Sequence, residues 1–317
     1  MPPWRHTVLP DEAGTALGTL LRKHHPVAWS VAKGWCASGK VSVDGSPCLD
    51  PGQRLRRGAD VTLRLDAPRS PARPDEVSFG PERLLHVDPH LVVVDKPPHV
   101  NAVPYEPGEK GALVDRVATA LARAKLAPPR APLFVVHRLD RETTGAMVFG
   151  RTWVAKRHLA ALFRRHDIER EYLCLAHGVI TAPRTVESVI VDDRGDGLRG
   201  APRGRAPKGE GQRAVTHLRP VASLQREAPV TLVACTLETG RQHQIRIHLS
   251  EMGHPVLGDR VYSRGYVGPT VDAPRVMLHA RTLGFTHPQR PEEDAVRFEA
   301  PLPEDFTELA RRLGWEG

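Results

Sequence analysis

The stretch "VVHRLDRETTGAMVFGR", Val135 to Arg151, decides how the chain is read. Two apolar runs, Leu133 to Val136 and Ala146 to Phe149, read as strands. Between them stand His137, Arg138, Asp140, Arg141 and Glu142. A turn needs Gly, Asn or Asp, and Gly145 is expected to supply it. It does not need so many charges. An aspartate among arginines stays ionised and can serve as nucleophile, base or ion-pair partner.

Further strands are expected at His90 to Asp95, Tyr172 to Ala176, Val230 to Leu237 and Val276 to Phe285. Helical patterns cover Ala112 to Ala124, Val154 to Arg165, Gln244 to Met252 and Asp305 to Leu313. Strands and helices do not alternate regularly, which predicts an α+β class with a mixed, mainly antiparallel sheet. This larger domain is expected over residues 84–317. Residues 1–67 form a small α+β module. Leu17, Leu20 and Leu21 mark a helix over Ala16 to His24, and Val27 to Trp35 a second. Val41 and Val43 lead into Asp44-Gly45, a hairpin signal, and Val61, Leu63 and Leu65 form the closing strand. A Pro-rich linker, 68–83, joins the two.

The chain has 317 residues with 45 basic and 37 acidic, a net charge of +8, so an anionic partner is expected, nucleic acid before membrane surface. No apolar run is long enough to span a bilayer, and the start of the chain does not read as a signal peptide. Cys36, Cys48, Cys174 and Cys235 lack C-x-x-C spacing and read as free thiols of a cytoplasmic protein.

Two more blocks carry polar density. In "LETGRQHQIRIHLSEMGHPVLGD", Leu237 to Asp259, a turn at Thr239-Gly240 precedes Arg241, His243, Gln244, Arg246 and His248. Donors gathered at a helix start suit phosphate or base-edge recognition. If the segment is helical, Gln242, Arg246 and Leu249 share a face. His243 and His248 are five apart, wrong for a helical zinc pair, so no metal is expected. In "FRRHDIEREYLCLAHG", Tyr172 opens an apolar strand, as a packing residue or a platform for a base. The segment Arg194 to Arg213 holds six basic residues and six glycines, and reads as a solvated loop or as an arm ordering on RNA.

"HRLDRETTG", "REYLCLAHG" and "ETGRQHQIRIHLSEMGHPVLGD", in that order, resemble the motifs of the RluA-type pseudouridine synthases. "LVVVDKPPHVNAVP" resembles the strand that opens their catalytic domain, and "VMLHARTLGFTHP" with "FEAPLPEDF" its end. Residues 14–65 are similar to the αL RNA-binding module of the ribosomal-protein-S-four type, although "VAWSVAKGW" departs from that module's usual helix entry. The resemblance implies an RNA pseudouridine synthase acting on structured RNA, ribosomal rather than transfer RNA, as a monomer and without a cofactor. It implies Asp140 as nucleophile, Tyr172 as the residue stacking on the base and Arg246 as the partner of the catalytic carboxylate. Arg138 would fill the gap left by the flipped base, with Arg141, Arg241, His243 and Gln244 also contacting RNA. His99 stands where the family has a glycine, Arg170 where it has a lysine, and Thr143-Thr144 where it has Thr-Ser. A non-catalytic RNA-binding protein or assembly factor on the same scaffold is the alternative. A metal-dependent hydrolase would need ligand spacing that the histidines do not show.

Overall fold

The computed structural model describes residues 3–67, 79–104, 110–128, 131–202, 211–290 and 295–317. The chain divides into two compact units, Met1–Val77 with Val189–Gln212, and Ser78–Ser188 with Arg213–Gly317. Most of the expected linker, 68–78, lies outside the described residues.

The first unit contains strand β1 (Trp4–Thr7), helices α1 (Leu17–His24) and α2 (Trp29–Ala37), and strands β2 (Val41–Val43), β3 (Ser46–Pro47) and β4 (Asp60–Leu63). Its sheet runs β1-β4-β2-β3, with antiparallel pairs throughout. The hairpin signal is answered at Asp44 and Gly45, whose φ of 51° and 78° are both left-handed, as a type I′ turn requires. Leu17, Leu20 and Leu21 of α1 close over Val41, Val43, Val61 and Leu63 in one buried cluster. Strand β1 was not legible, because four residues of mixed polarity show no usable period.

The first part of the basic segment is not a free loop. Val191 bridges Gly200, and the Asp193 carboxylate accepts the N–H groups of Gly195 and Gly197. The Arg57 N–H donates to the Asp196 carbonyl at 3.1 Å. Gly197, at φ 83°, lies so close to Gly14 that a Cβ would fall 2.4 Å from its nitrogen. Residues 203–210 of the segment lie outside the described residues.

The larger elements follow in order. They are β5 (Leu84–Val87), β6 (Leu91–Lys96), α3 (Leu113–Arg123), β7 (Phe134–Val135), β8 (Thr144–Gly150), α4 (Trp153–Arg165) and β9 (Glu169–His177). Then come β10 (Arg184–Ile190), β11 (Gln212–Leu224), β12 (Val230–Leu237), α5 (Gln244–Glu251), β13 (Leu278–Phe285), β14 (Val296–Glu299) and α6 (Glu304–Leu313). The sheet order is β10-β11-β12-β9-β13-β8-β6-β5, with β14 on β13 and β7 on β8. The class is α+β, mainly antiparallel, with β8 and β13 paired in parallel.

Strand β6 reads as an unbroken apolar run because both of its faces are covered. Val92 and Val94 pack with Leu113, Val117 and Leu121 of α3. Leu91 and Val93 pack with Leu159 and Leu162 of α4. Gly145 does not serve the expected turn. It lies in β8 at φ 113°, where a Cβ would fall 2.1 Å from the Ala280 carbonyl oxygen of β13. Glycine is what lets the two parallel strands approach.

Candidate active site

Strands β7 and β8 form a hairpin, Phe134 opposite Gly150 and Val135 opposite Phe149, and the connection 136–143 carries the charged motif. His137 has a structural role there. Its Nε2 accepts the Val148 N–H at 3.1 Å, and its ring stacks on Phe163. Burial, aided by the charge of Arg170, pushes its pKa down to about 3, so the ring is neutral at physiological pH.

Beyond His137 the connection is held from below. Lys96, the last residue of β6, is fully buried. Its ammonium donates to the carbonyls of Pro97 (3.0 Å), Arg141 (3.0 Å) and Thr143 (2.8 Å). Burial pulls its pKa down to about 7, against the opposing field of Asp140. The Glu142 carboxylate accepts the Val276 N–H at 3.0 Å. Arg275 donates to the Glu142 carbonyl at 3.3 Å and is itself gripped by Asp305 of α6, Nε to Oδ2 2.6 Å and Nη2 to Oδ1 2.8 Å.

The second motif is built around α5, whose residues Gln244 to Leu249 are all buried. Its N-cap, His243, has left-handed φ 60°. The polar side chains on such a helix need internal partners. Gln244 has four. Its amide oxygen accepts from Thr239 Oγ1 (2.8 Å) and the Arg241 N–H (3.0 Å), and its amide nitrogen donates to the Val215 carbonyl (2.9 Å) and Thr216 Oγ1 (3.0 Å). Gln244, expected among the RNA contacts, thus has its amide fully engaged inside the fold, while the residue also stands in the wall of the cleft described below. Its side chain ties the 238–243 loop to β11. Gln242 precedes the helix and does not share a face with Arg246. His248 lies between Thr216 Oγ1 (2.9 Å) and Ser188 Oγ (3.0 Å).

Arg246 uses its guanidinium on two carboxylates. Nε and Nη2 donate to Asp259 at 2.6 and 2.9 Å, and Nη1 lies 3.5 Å from Asp140 Oδ2. Asp259 is 1% exposed and also accepts the N–H groups of Val261 and Tyr262. The Tyr262 ring lies under the Arg246 guanidinium at 5.1 Å, and its hydroxyl meets His243 Nδ1 at 2.9 Å. His243 Nε2 stands 3.8 Å from Asp140 Oδ2. For Asp140, burial alone would raise the carboxyl pKa. His243, Arg246 and Arg138 outweigh it and hold the group below the usual range.

An open cleft collects Arg138, Asp140, Tyr172, Arg241, His243 and Arg246 in its walls. Arg141 is not among them; its carbonyl is turned to Lys96. Tyr172, on β9, is partly buried. Burial raises its phenol pKa, which Arg170 opposes and Asp140 reinforces. Arg170 reaches beneath the same loop and donates to the Glu238 carbonyl at 2.8 Å. Its Nη1 would lie 2.5 Å from a Cβ at Gly240. His99, at the family's glycine position, is indeed left-handed, φ 60°. Among the described residues, the cleft gathers no three side chains able to share a metal ion.

Lys96 and Asp259 were missed as site residues, although both lie within the blocks that carried the resemblance. Their signal is burial of a charge, which no local pattern reports.

Residues 90–251 match the RNA pseudouridylate synthase family. The chain is 33% identical to ribosomal large subunit pseudouridine synthase D of Xanthomonas campestris, over 98% of this chain and 92% of that protein. It is 31% identical to an RNA pseudouridine synthase of Bacillus subtilis, over 94% of this chain and 91% of that one. Among solved structures, human RNA pseudouridylate synthase domain containing 4 superposes with a TM-score of 0.59 at 25% identity, covering 73% of this chain and 93% of that one. A match over half of the chain, relatives of full length and a shared catalytic fold agree, and the chain belongs to the RNA pseudouridylate synthase family, as an isomerase of uridine in RNA.

Proposed function

We propose that the protein converts specific uridines of large-subunit ribosomal RNA to pseudouridine, with Asp140 as nucleophile. The observation that carries the reading is the state of Asp140. It is a carboxylate in an open cleft, held ionised by His243, Arg246 and Arg138, on a connection braced by Lys96 and Arg275. Such a group is preorganised to attack rather than merely to pair.

The target nucleotide leaves its stack and enters the cleft, where Tyr172 stacks on the base and Arg138 fills the vacated place. Asp140 attacks the ribose C1′ or the ring C6. The bond from N1 to C1′ breaks, the base rotates, C5 bonds to C1′, and the C5 hydrogen leaves as a proton. Nothing is oxidised and no group is added, so no cofactor takes part. Arg241 contacts the RNA at the rim, and the small N-terminal module, αL-like in sequence, grips the RNA away from the reacting base. Ribosomal RNA is favoured over transfer RNA because relatives spanning nearly the whole chain are named for the large ribosomal subunit. The protein acts as a cytoplasmic monomer. Among the described residues no helix is long and apolar enough to cross a membrane.

Tritium release from RNA labelled at uracil C5 tests this. Wild type is expected to release tritium from large-subunit ribosomal RNA transcripts, not from transfer RNA, and Asp140→Asn from neither. Equal release by Asp140→Asn removes Asp140 as nucleophile. Release from transfer RNA alone overturns the substrate.

A further inference from the structure

In the first unit three side chains converge, none of them among the residues that line the cleft. His6 lies on β1, Glu12 on the short turn after it, and His24 at the end of α1. One ligating atom from each can be chosen so that all three lie within 4.8 Å of one another. His6 Nε2 is 2.5 Å from Glu12 Oε2, and His24 Nε2 is 3.2 Å from Glu12 Oε1. The two imidazoles stand 4.2 Å apart between centroids, beside the Trp4 ring. Glu12 is 2% exposed, a carboxylate placed in the fold and aimed at two imidazole nitrogens.

Two imidazole nitrogens and one carboxylate oxygen are a zinc-type donor set, which leaves a fourth position open. With metal–ligand bonds of about 2.0–2.1 Å, tetrahedral ligands stand roughly 3.3 Å apart, so small side-chain shifts suffice. Two neighbours already donate to Glu12, one of them the Leu9 N–H, to Oε2 at 3.1 Å. Lys23 Nζ donates to Glu12 Oε1 at 2.7 Å, but its side chain is 53% exposed and free to swing outward. A unit of this size gains from a staple, and these three residues join β1, the turn and α1.

We propose that His6, Glu12 and His24 bind a divalent transition metal of the zinc class, which pins β1 to α1 and exchanges with the Lys23 ammonium. Each imidazole coordinates through Nε2, its proton moving to Nδ1 or to solvent.

The test is titration of chelator-stripped, full-length protein with Co²⁺, followed by Zn²⁺. One equivalent of Co²⁺ is expected to give the absorption of a tetrahedral ion, and Zn²⁺ to displace it. His24→Gln, on a partly exposed helix end, should keep the circular dichroism spectrum and weaken Zn²⁺ binding at least tenfold. Lys23→Met should strengthen it. No saturable binding by wild type overturns the proposal. So does one equivalent whose affinity is unchanged in both His24→Gln and His6→Gln, because the ion then sits on other histidines.

Discussion

Arg246 holds Asp259 with Nε and Nη2 and turns Nη1 toward Asp140, 3.5 Å away. The buried carboxylate thus sets the direction of the arginine, and the arginine sets the state of the other carboxylate. Asp259→Ala leaves the guanidinium buried without its main partner. Stability should fall by about 3–5 kcal/mol in urea unfolding. Asp259→Asn keeps one acceptor and the fold, and should lower single-turnover rate about 100-fold with RNA affinity unchanged. Equal loss of rate and affinity would assign Asp259 to binding instead.

His243 contributes the largest positive field at Asp140. Removing it leaves burial less opposed, and the carboxyl pKa rises. With Asp140 as the proposed nucleophile the active form is the carboxylate, so activity is expected to be lost at a higher pH as the solution is acidified. In His243→Gln the acid limb of the single-turnover pH–rate profile should move to higher pH. An unmoved limb would show that Asp140 does not feel His243.

Lys96→Met keeps the length of the side chain and removes its donors. The carbonyls of Arg141 and Thr143 lose a buried partner, at about 1–3 kcal/mol each. Because burial already depresses the lysine pKa to about 7, part of the loss is recovered by no longer burying a charge. A net destabilisation of about 2 kcal/mol is expected, with slower turnover and unaltered RNA affinity, measured by urea unfolding and filter binding.

Gln244 and Arg138 test the difference between an internal brace and a proposed RNA contact. Gln244→Leu strands Thr239, Thr216 and the loop backbone, and should cost about 1–3 kcal/mol of stability. Arg138→Ala should leave stability within about 0.5 kcal/mol. It should weaken RNA binding and reduce its salt slope by about 1. The reverse pattern in either variant would undo the assignment.

His248 and His279 are fully buried, and burial pushes both pKa values down to about 4. Unfolded, they take up protons near the ordinary value of about 6.5. Their stability contribution is therefore present above about pH 6.5 and is lost as pH falls toward 4, at roughly 1.4 kcal/mol per unit for each. Urea midpoints at pH 6.5, 5.5 and 4.5 should decline steadily. A flat series would mean that these rings already carry charge in the folded protein.

The long apolar strands and amphipathic helices were legible because burial on one or two faces prints a period into the sequence. Strands β5, β10, β11 and β14 were not, since partly exposed strands at or next to a sheet edge carry weak periods. The run Leu133 to His137 promised a full strand and gave the two residues of β7, because His137 leaves the ladder to accept a backbone N–H from β8. The charged motif was legible as a candidate site. The division of labour within it was not. Which of His137, Arg141 and Gln244 faces solvent depends on partners from β6, β8 and β11, and a local window does not contain them.

The grip of Asp305 on Arg275, and of Arg275 on the carbonyl of Glu142, ties the connection that carries Asp140 to a helix made long after it. A nascent chain that has reached β8, or even α5, lacks this brace. Full bracing of the Asp140 connection therefore waits on synthesis of Asp305.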